Sequence, residues 1–237
     1  MMINHIAFAQ LGKANHGWLR ANHHFSFAHY YNPQRMGFGT LRVINDDWVQ
    51  AGAGFPSHPH QNMEIISFVR SGAITHQDSM GNTGITPAGE VQVMSAGTGI
   101  MHSEYNRSTQ PLTLYQIWIE PKQQGVAPRW DSKKFATTSS KDSLPLLVSG
   151  YKQDAEQALF IHQDARIYGG KVTAGSKITL PIIHQAYVLA SSGSFTIFDE
   201  QGQAINLHQG DGAEVTAQST LKIEATAEAE IIVIDAP

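Results

Sequence analysis

The sequence predicts an all-β protein built in two halves, and three observations carry that prediction. Short runs rich in β-branched and aromatic residues recur along the 237 residues, Gly-bearing turns separate them, and good helical stretches are scarce. Many short strands at near-regular spacing, punctuated in this way, read as sandwiches or barrels.

The clearest run is Thr113-Leu114-Tyr115-Gln116-Ile117-Trp118-Ile119, too short for a stable helix and made of residues that suit a pleated surface. In chain order, comparable runs lie at Leu41–Ile44, Glu64–Val69, Val91–Met94, Arg166–Val172, Ala186–Leu189, Ser194–Phe198, Leu221–Ala225 and Glu230–Ile234. Turn signals fall between them, among them Ser71-Gly72, Met80-Gly81-Asn82, Pro87-Ala88-Gly89, Ser192-Gly193 and Gln209-Gly210-Asp211-Gly212. Only Gln153–Leu159 and Asn32–Met36 offer one or two helical turns. Strand periodicity is lost between Pro121 and Leu144, where most basic residues of the middle third gather. That stretch reads as a solvated connection, giving residues 1–130 as one domain and 131–237 as connection plus a second domain.

Composition narrows the function classes. Charged residues make up 15% of the chain, with 20 acidic against 16 basic and a net charge of -4, so no basic stripe recommends direct nucleic-acid binding. The absence of Cys removes disulfides, iron–sulfur clusters, thiolate zinc sites and thiol nucleophiles together. The N-terminus lacks a basic start followed by a long apolar stretch, and the aliphatic run Ile231-Ile232-Val233-Ile234 is too short to span a bilayer. A cytoplasmic protein without membrane contact is the expectation. The unusual count is His: twelve.

Two pairs among these histidines carry chemistry, His58-Pro59-His60 and His102-Ser103-Glu104. On a strand, residues i and i+2 face the same way, so each pair presents two donors side by side. On neighbouring strands they would bring together three imidazoles and one carboxylate. Such a set suits Fe(II), Mn(II), Ni(II), Cu(II) or Zn(II) and leaves room for further oxygen ligands. A chain holding twelve His would yield such pairs by chance, so their setting matters more than the pairs themselves. That setting is Gly52-x5-His58-x-His60-x3-Glu64-x7-Gly72, then Gly81-x5-Pro87-x-Gly89, then Gly99-x2-His102-x3-Asn106.

This arrangement resembles the two cupin motifs. Most cupins take their carboxylate from the first motif, here Glu64, whereas a carboxylate two residues after the second-motif histidine, here Glu104, resembles the pirin branch. The segments His24–Pro33, Met36–Asp47, Gly54–His60, His76–Gly81 and Met94–Ile100 are similar to the pirin signature, densely from about residue 14 to 120 and thinly beyond. The resemblance implies a bicupin, two stacked β-barrels of the double-stranded β-helix or jelly-roll type, with one metal in the N-terminal barrel. It implies His58, His60, His102 and Glu104 as ligands and Fe(II) as the metal, with Mn, Ni, Cu or Zn as alternatives. The C-terminal half, whose histidines His162, His184 and His208 form no such pair, is read as a degenerate barrel without metal.

Two functions follow from the resemblance. In the first, the protein is a dioxygenase that opens a flavonol such as quercetin with O2, with Glu104 as the nearest base. In the second, it is a metal- or redox-responsive regulatory module that acts through a protein partner. Other residues remain open at this stage. Glu64 either ligates or hydrogen-bonds a ligand histidine; His76 and Asp78 share a strand face and either line the pocket or close a polar turn. His16, His23, His24 and His29 read as packed or surface histidines of an N-terminal arm. Phe25, Phe27, Phe38, Met94, Met101 and Trp118 read as core, with a wall beside the metal suited to a flat aromatic substrate as the alternative.

Overall fold

The computed structural model describes residues 2–135 and 138–237. In chain order its strands are β1 (Ile3–Ile6), β2 (Gly12–Asn15), β3 (Leu19–His23), β4 (Leu41–Val49), β5 (Gly54–His60), β6 (Glu64–Ser71), β7 (Ala73–Asp78), β8 (Thr83–Pro87), β9 (Glu90–Ser95), β10 (Ile100–Tyr105) and β11 (Leu112–Ile119). There follow β12 (Arg129–Lys134), β13 (Leu146–Ser149), β14 (Leu159–Phe160), β15 (Arg166–Val172), β16 (Ser176–Pro181), β17 (Gln185–Ser192), β18 (Ser194–Phe198), β19 (Ala204–His208), β20 (Gly212–Val215), β21 (Thr220–Ala225) and β22 (Ala229–Ala236). Two 3-10 turns, Phe8–Gln10 and Lys152–Asp154, complete the regular structure. No helix among the described residues is long and apolar enough to cross a membrane.

The strands form two compact units, one comprising Gly12–Phe135 with Leu159–Gln163, the other Met1–Leu11, Ala136–Ala158 and Asp164–Pro237. In the first, a seven-stranded sheet runs β12-β9-β6-β11-β4-β3-β2 and a four-stranded sheet runs β5-β10-β7-β8. In the second, neighbouring strands run β1-β20-β17-β22-β15-β13, and a four-stranded sheet runs β16-β21-β18-β19. Each unit therefore carries a larger and a smaller sheet, the jelly-roll type of arrangement expected of a bicupin. The second unit packs one apolar cluster, including Val188, Phe195, Ile197, Leu221, Ile231 and Val233.

In the first unit the reason for burial is plain in β11, where Leu112, Leu114, Tyr115, Ile117 and Ile119 are at most 1% exposed. Each such side chain removed from water contributes about 1.5–3 kcal/mol. Registers between strands arrange the inward residues in layers. Ile65 lies opposite both Met94 and Trp118, and these three belong to one apolar cluster with Ile100. Val69 lies opposite Leu114 in a second apolar cluster with Leu19, Val49, Ile74 and Leu112. Between them runs a polar row across five strands: Gln92 opposite Ser67, Ser67 opposite Gln116, Gln116 opposite Asn45, and Asn45 opposite His23. That row is the floor of the site described below.

Three sequence expectations are corrected here. The stretch from Pro121 to Leu144 is not all connection: Arg129–Lys134 is strand β12, hydrogen-bonded along β9 from Arg129–Ser95 to Lys134–Glu90. It escapes a periodicity reading because it is an edge strand with charged residues at both ends and only Trp130 as apolar payload; residues 136–137 of the stretch lie outside the described residues. Gln153–Leu159 holds no α-helix, only the 3-10 turn Lys152–Asp154 ahead of β14. Asn32–Met36 is a turn, closed by the Arg35 amide donating to the Asn32 carbonyl at 2.9 Å.

Candidate metal centre

Strand β5 carries His58 and His60 on the edge of the four-stranded sheet, where Pro56 and Pro59 cost no ladder hydrogen bond that a central strand would need. Its antiparallel neighbour β10 sets His102 directly opposite His58, and the register then shifts so that Glu104 lies opposite Phe55. Gly54 permits this bulged approach, since a Cβ there would meet the Glu104 carbonyl oxygen at 2.3 Å. The three rings converge, with centroids 4.8 Å apart for His58–His60, 4.5 Å for His58–His102 and 5.0 Å for His60–His102. One ring nitrogen from each lies within 4.8 Å of the others.

Protonation favours metal binding. His58 Nδ1 donates to the Pro56 carbonyl at 2.7 Å, which fixes Nε2 as the free lone pair. Burial, and then the neighbouring His58, lower the pKa of His60 to about 4. Burial, with His58, His60 and His76 around it, lowers that of His102 to about 2. His102 is 2% exposed, and neither of its ring nitrogens has a hydrogen-bond partner. A buried imidazole costs free energy when left so, and a metal ion is the partner that would repay it. The residues present therefore fit a divalent ion, held by neutral imidazoles with a carboxylate at hand.

Glu104 lies fully inside the polar row. Its carboxylate accepts from Gln92 Nε2 and Gln116 Nε2, both at 2.6 Å, and from Ser67 Oγ at 3.5 Å. Burial outweighs these donors and raises its pKa to about 7. Its nearest convergence is with His76 and His102, whose donor atoms and its own lie within 4.8 Å of one another. His76 sits opposite Glu104 on β7, donates through Nε2 to Asp78 Oδ2 at 3.0 Å, and stacks on Trp130 with ring centroids 5.0 Å apart. Asp78 in turn is anchored by the amides of Met80 and Asn82. The pair His76–Asp78 is thus part of the buried centre as well as the anchor of a turn.

Glu64 does not join these groups. One carboxylate oxygen accepts from Ser95 Oγ at 2.7 Å, and the other is buried without a partner, so the sequence reading of Glu64 as a ligand or as a support for a ligand histidine is not met by its contacts. His16 and His29 are exposed and His24 is buried, in line with an arm of packed and surface histidines. His23 is packed as read, but also carries a place the sequence did not show: it donates through Nδ1 to Asn45 Oδ1 at 2.7 Å and lines a cavity of about 270 Å³ beside His58 and His60. Phe27 and Trp118, read as core, line the same cavity and pack edge to face at 5.5 Å. Asp47 lines it too, and burial together with Asp46 and Glu104 raises its pKa to about 8. The signal that could have found this wall is one polar residue at the same inward register of successive strands, which becomes visible only once the strands are paired.

Comparison with known proteins shows the family. Residues 6–119 match the family model described as Pirin, and residues 146–236 that described as Quercetinase C-terminal cupin domain. A pirin-like protein of Caulobacter vibrioides is 45% identical over 237 residues, 99% of this chain and 100% of that one. The chain belongs to the pirin family. Among its pirin relatives, the quercetin 2,3-dioxygenase of Escherichia coli K12 is 42% identical over 229 residues, 95% of each chain. The bacterial pirin YhhW from Escherichia coli in complex with nickel(II) superimposes with a TM-score of 0.90 at 40% identity, covering 100% of this chain and 99% of that one.

Proposed function

We propose that this pirin is a mononuclear metal-dependent dioxygenase that cleaves a flavonol such as quercetin with O2. The observation that carries the reading is the convergence of His58, His60 and His102, the first two of which line a cavity together with Phe27 and Trp118. His58, His60, His102 and Glu104 would hold one divalent ion, Fe(II) in this reading, although the related structure contains nickel(II). When bound, the ion supplies Lewis acidity and a template for substrate and O2. A small aromatic substrate and O2 are thus the partners, and the cytoplasm is the compartment.

The chain's own residues do the rest. Trp118, edge-on to His60 at 4.8 Å, and Phe27 hold a flat ring against the imidazoles. Their apolar surface excludes water, which strengthens every charge interaction inside. Glu104, the nearest base, would have to loosen from the ion to accept the proton of the enolic hydroxyl as the substrate docks. Gln92 and Gln116 keep that carboxylate in place whichever protonation state it holds. Positioning of this kind accounts for the rate advantage of a held pair of reactants over free ones.

The test is anaerobic reconstitution with Fe(II), metal analysis, and then quercetin turnover under air, beside a His58→Ala/His60→Ala control. One ion per chain with turnover abolished in the control supports the reading. Stoichiometric metal with no turnover of any flavonol would sink the dioxygenase assignment and leave the metal centre standing.

A further inference from the structure

The cavity has a polar end whose hydrogen-bonding capacity is unspent. Asp47 on β4 is 3% exposed and lies opposite Ala21 of β3 and Leu114 of β11, so apolar side chains flank it on both sides. The donors of the polar row go elsewhere: Gln92, Ser67 and Gln116 serve Glu104, and among the described residues no donor contacts the Asp47 carboxyl. Two positions along the same strand, the Asn45 oxygen is taken by His23 Nδ1, which leaves His23 Nε2 as an acceptor. His23 stays neutral because burial lowers its pKa. A carboxyl and an imidazole acceptor therefore sit together on a wall otherwise faced by aromatic and aliphatic groups.

A few polar groups lining an otherwise apolar cavity fix the orientation and choice of what enters. The matching partner here must be small, neutral and able both to donate and to accept, because Asp47 and His23 differ in what they offer. A phenolic hydroxyl meets that description. It accepts from Asp47 as an acid while donating to His23 Nε2, or donates its one proton to Asp47 as a carboxylate. A carboxylate ligand would lose its hydration in the same surroundings that keep Asp47 and Glu104 from ionising, and the cavity of about 270 Å³ lies just below the roughly 300 Å³ at the small end of ligand sites.

We propose that Asp47, assisted by His23, is the hydroxyl-reading group of this cavity and selects ring compounds carrying a phenolic hydroxyl away from the metal over the same rings without it. The proposal rests on the reading of the cavity as the substrate site and deepens it by naming the substrate class as hydroxylated aromatic. Asp47 is a specificity residue in this role: it touches substrate on the polar wall that it shares with His23 and Asn45.

The experiment measures anaerobic affinities on metal-loaded protein by quenching of tryptophan fluorescence. Two ring pairs are compared, quercetin with galangin, which lacks the hydroxyls of the pendant ring, and 2-naphthol with naphthalene. Wild type is expected to favour the hydroxylated member of each pair by about five- to tenfold, the worth of one buried hydrogen bond. Asp47→Leu is expected to weaken only the hydroxylated member and bring the ratio towards one, while His23→Phe lowers it in part. Where the leucine variant does not fold, Asp47→Ala replaces it and must lower the ratio at least threefold, since it removes both the acceptor and the donor of the carboxyl. An unchanged ratio in the folded variant, or no preference in wild type, overturns the proposal. Loss of preference in the variants with no quercetin turnover by wild type would sustain Asp47 as hydroxyl reader and reject the flavonol assignment; turnover with an unchanged ratio would do the reverse.

Discussion

At the scale of single residues, the centre is governed by two carboxyls whose burial outweighs their partners. Glu104 has its pKa raised to about 7, so near neutrality an incoming ion must displace a proton from it, whereas His60 and His102 are already free of theirs. Wild type at pH 6 is therefore expected to release one more proton per ion than Glu104→Gln, measured by titrating metal into weakly buffered protein. Equal release would mean that Glu104 does not bind the ion. Asp47 gives the complementary case. A carboxyl raised to about 8 in the folded chain and ordinary in the unfolded one stabilises fully below the unfolded value, and that contribution is lost as pH rises through 8. Asp47→Asn should accordingly gain on wild type as pH rises, by at most about 1.4 kcal/mol per pH unit, and hold its advantage above pH 8. Urea midpoints of metal-free protein at pH 6 and pH 8.5 decide this. A difference between variant and wild type that stays the same at the two pH values would show the carboxyl to be already ionised in the fold at pH 6.

At the scale of elements, what was legible in the sequence is what a single strand displays. His58 with His60, and His102 with Glu104, are two apart on one strand, so pattern alone placed each pair on a common face, and register then brought the pairs together. The polar row was not legible, because Gln92, Ser67, Gln116, Asn45 and His23 are neighbours only through pairing across five strands. Within its own run each is merely one polar residue among apolar ones. Strand β12 was lost for a different reason, that an edge strand need not alternate. It nevertheless matters to the centre, since Trp130 lies flat on His76 at an interplanar angle of 10°. Gly84 on β8 makes room for that indole, as a Cβ there would fall 2.1 Å from the ring. Gly84→Ala is expected to cost about 1–3 kcal/mol by overpacking, read as a lower urea midpoint with a smaller near-ultraviolet dichroism signal from tryptophan. Gln116→Leu takes a donor from Glu104 and should move the pH midpoint of metal uptake upward; a downward move would contradict the part assigned to the row.

At the scale of the whole molecule, two units of like architecture carry unlike contents. Both groups of converging metal donors among the described residues lie in the unit comprising Gly12–Phe135 with Leu159–Gln163. In the other unit His184 Nε2 pairs with Tyr151 Oη at 3.1 Å, and His5 Nε2 with Asp211 at 3.0 Å, so those imidazoles already have partners within the fold. Metal titration should saturate at one equivalent, fall to none in His58→Ala/His60→Ala, and remain at one in His184→Ala/His208→Ala. A second equivalent removed by the last pair would assign a site to the C-terminal half. The all-β class and the family were legible because they depend on composition, turn spacing and motifs. The pairing of β1 with β20, joining the first residues to a strand about 200 positions later, was not, because nothing local records so distant a partner.

The strand that carries His58 and His60 has a hydrogen-bonded neighbour on one side only, and prolines at 56 and 59 thin even that ladder. An ion gripped by β5 and β10 together would act as a clasp on a loose hem. Departure of the ion then needs only that the hem lift, an event far cheaper than unfolding the unit. Stripping by a chelator should therefore reach a ceiling rate set by local opening, insensitive to further chelator and to substitutions that hasten global denaturation. Amide exchange along β5 should slow when the ion is present and run at that same ceiling when it is withdrawn.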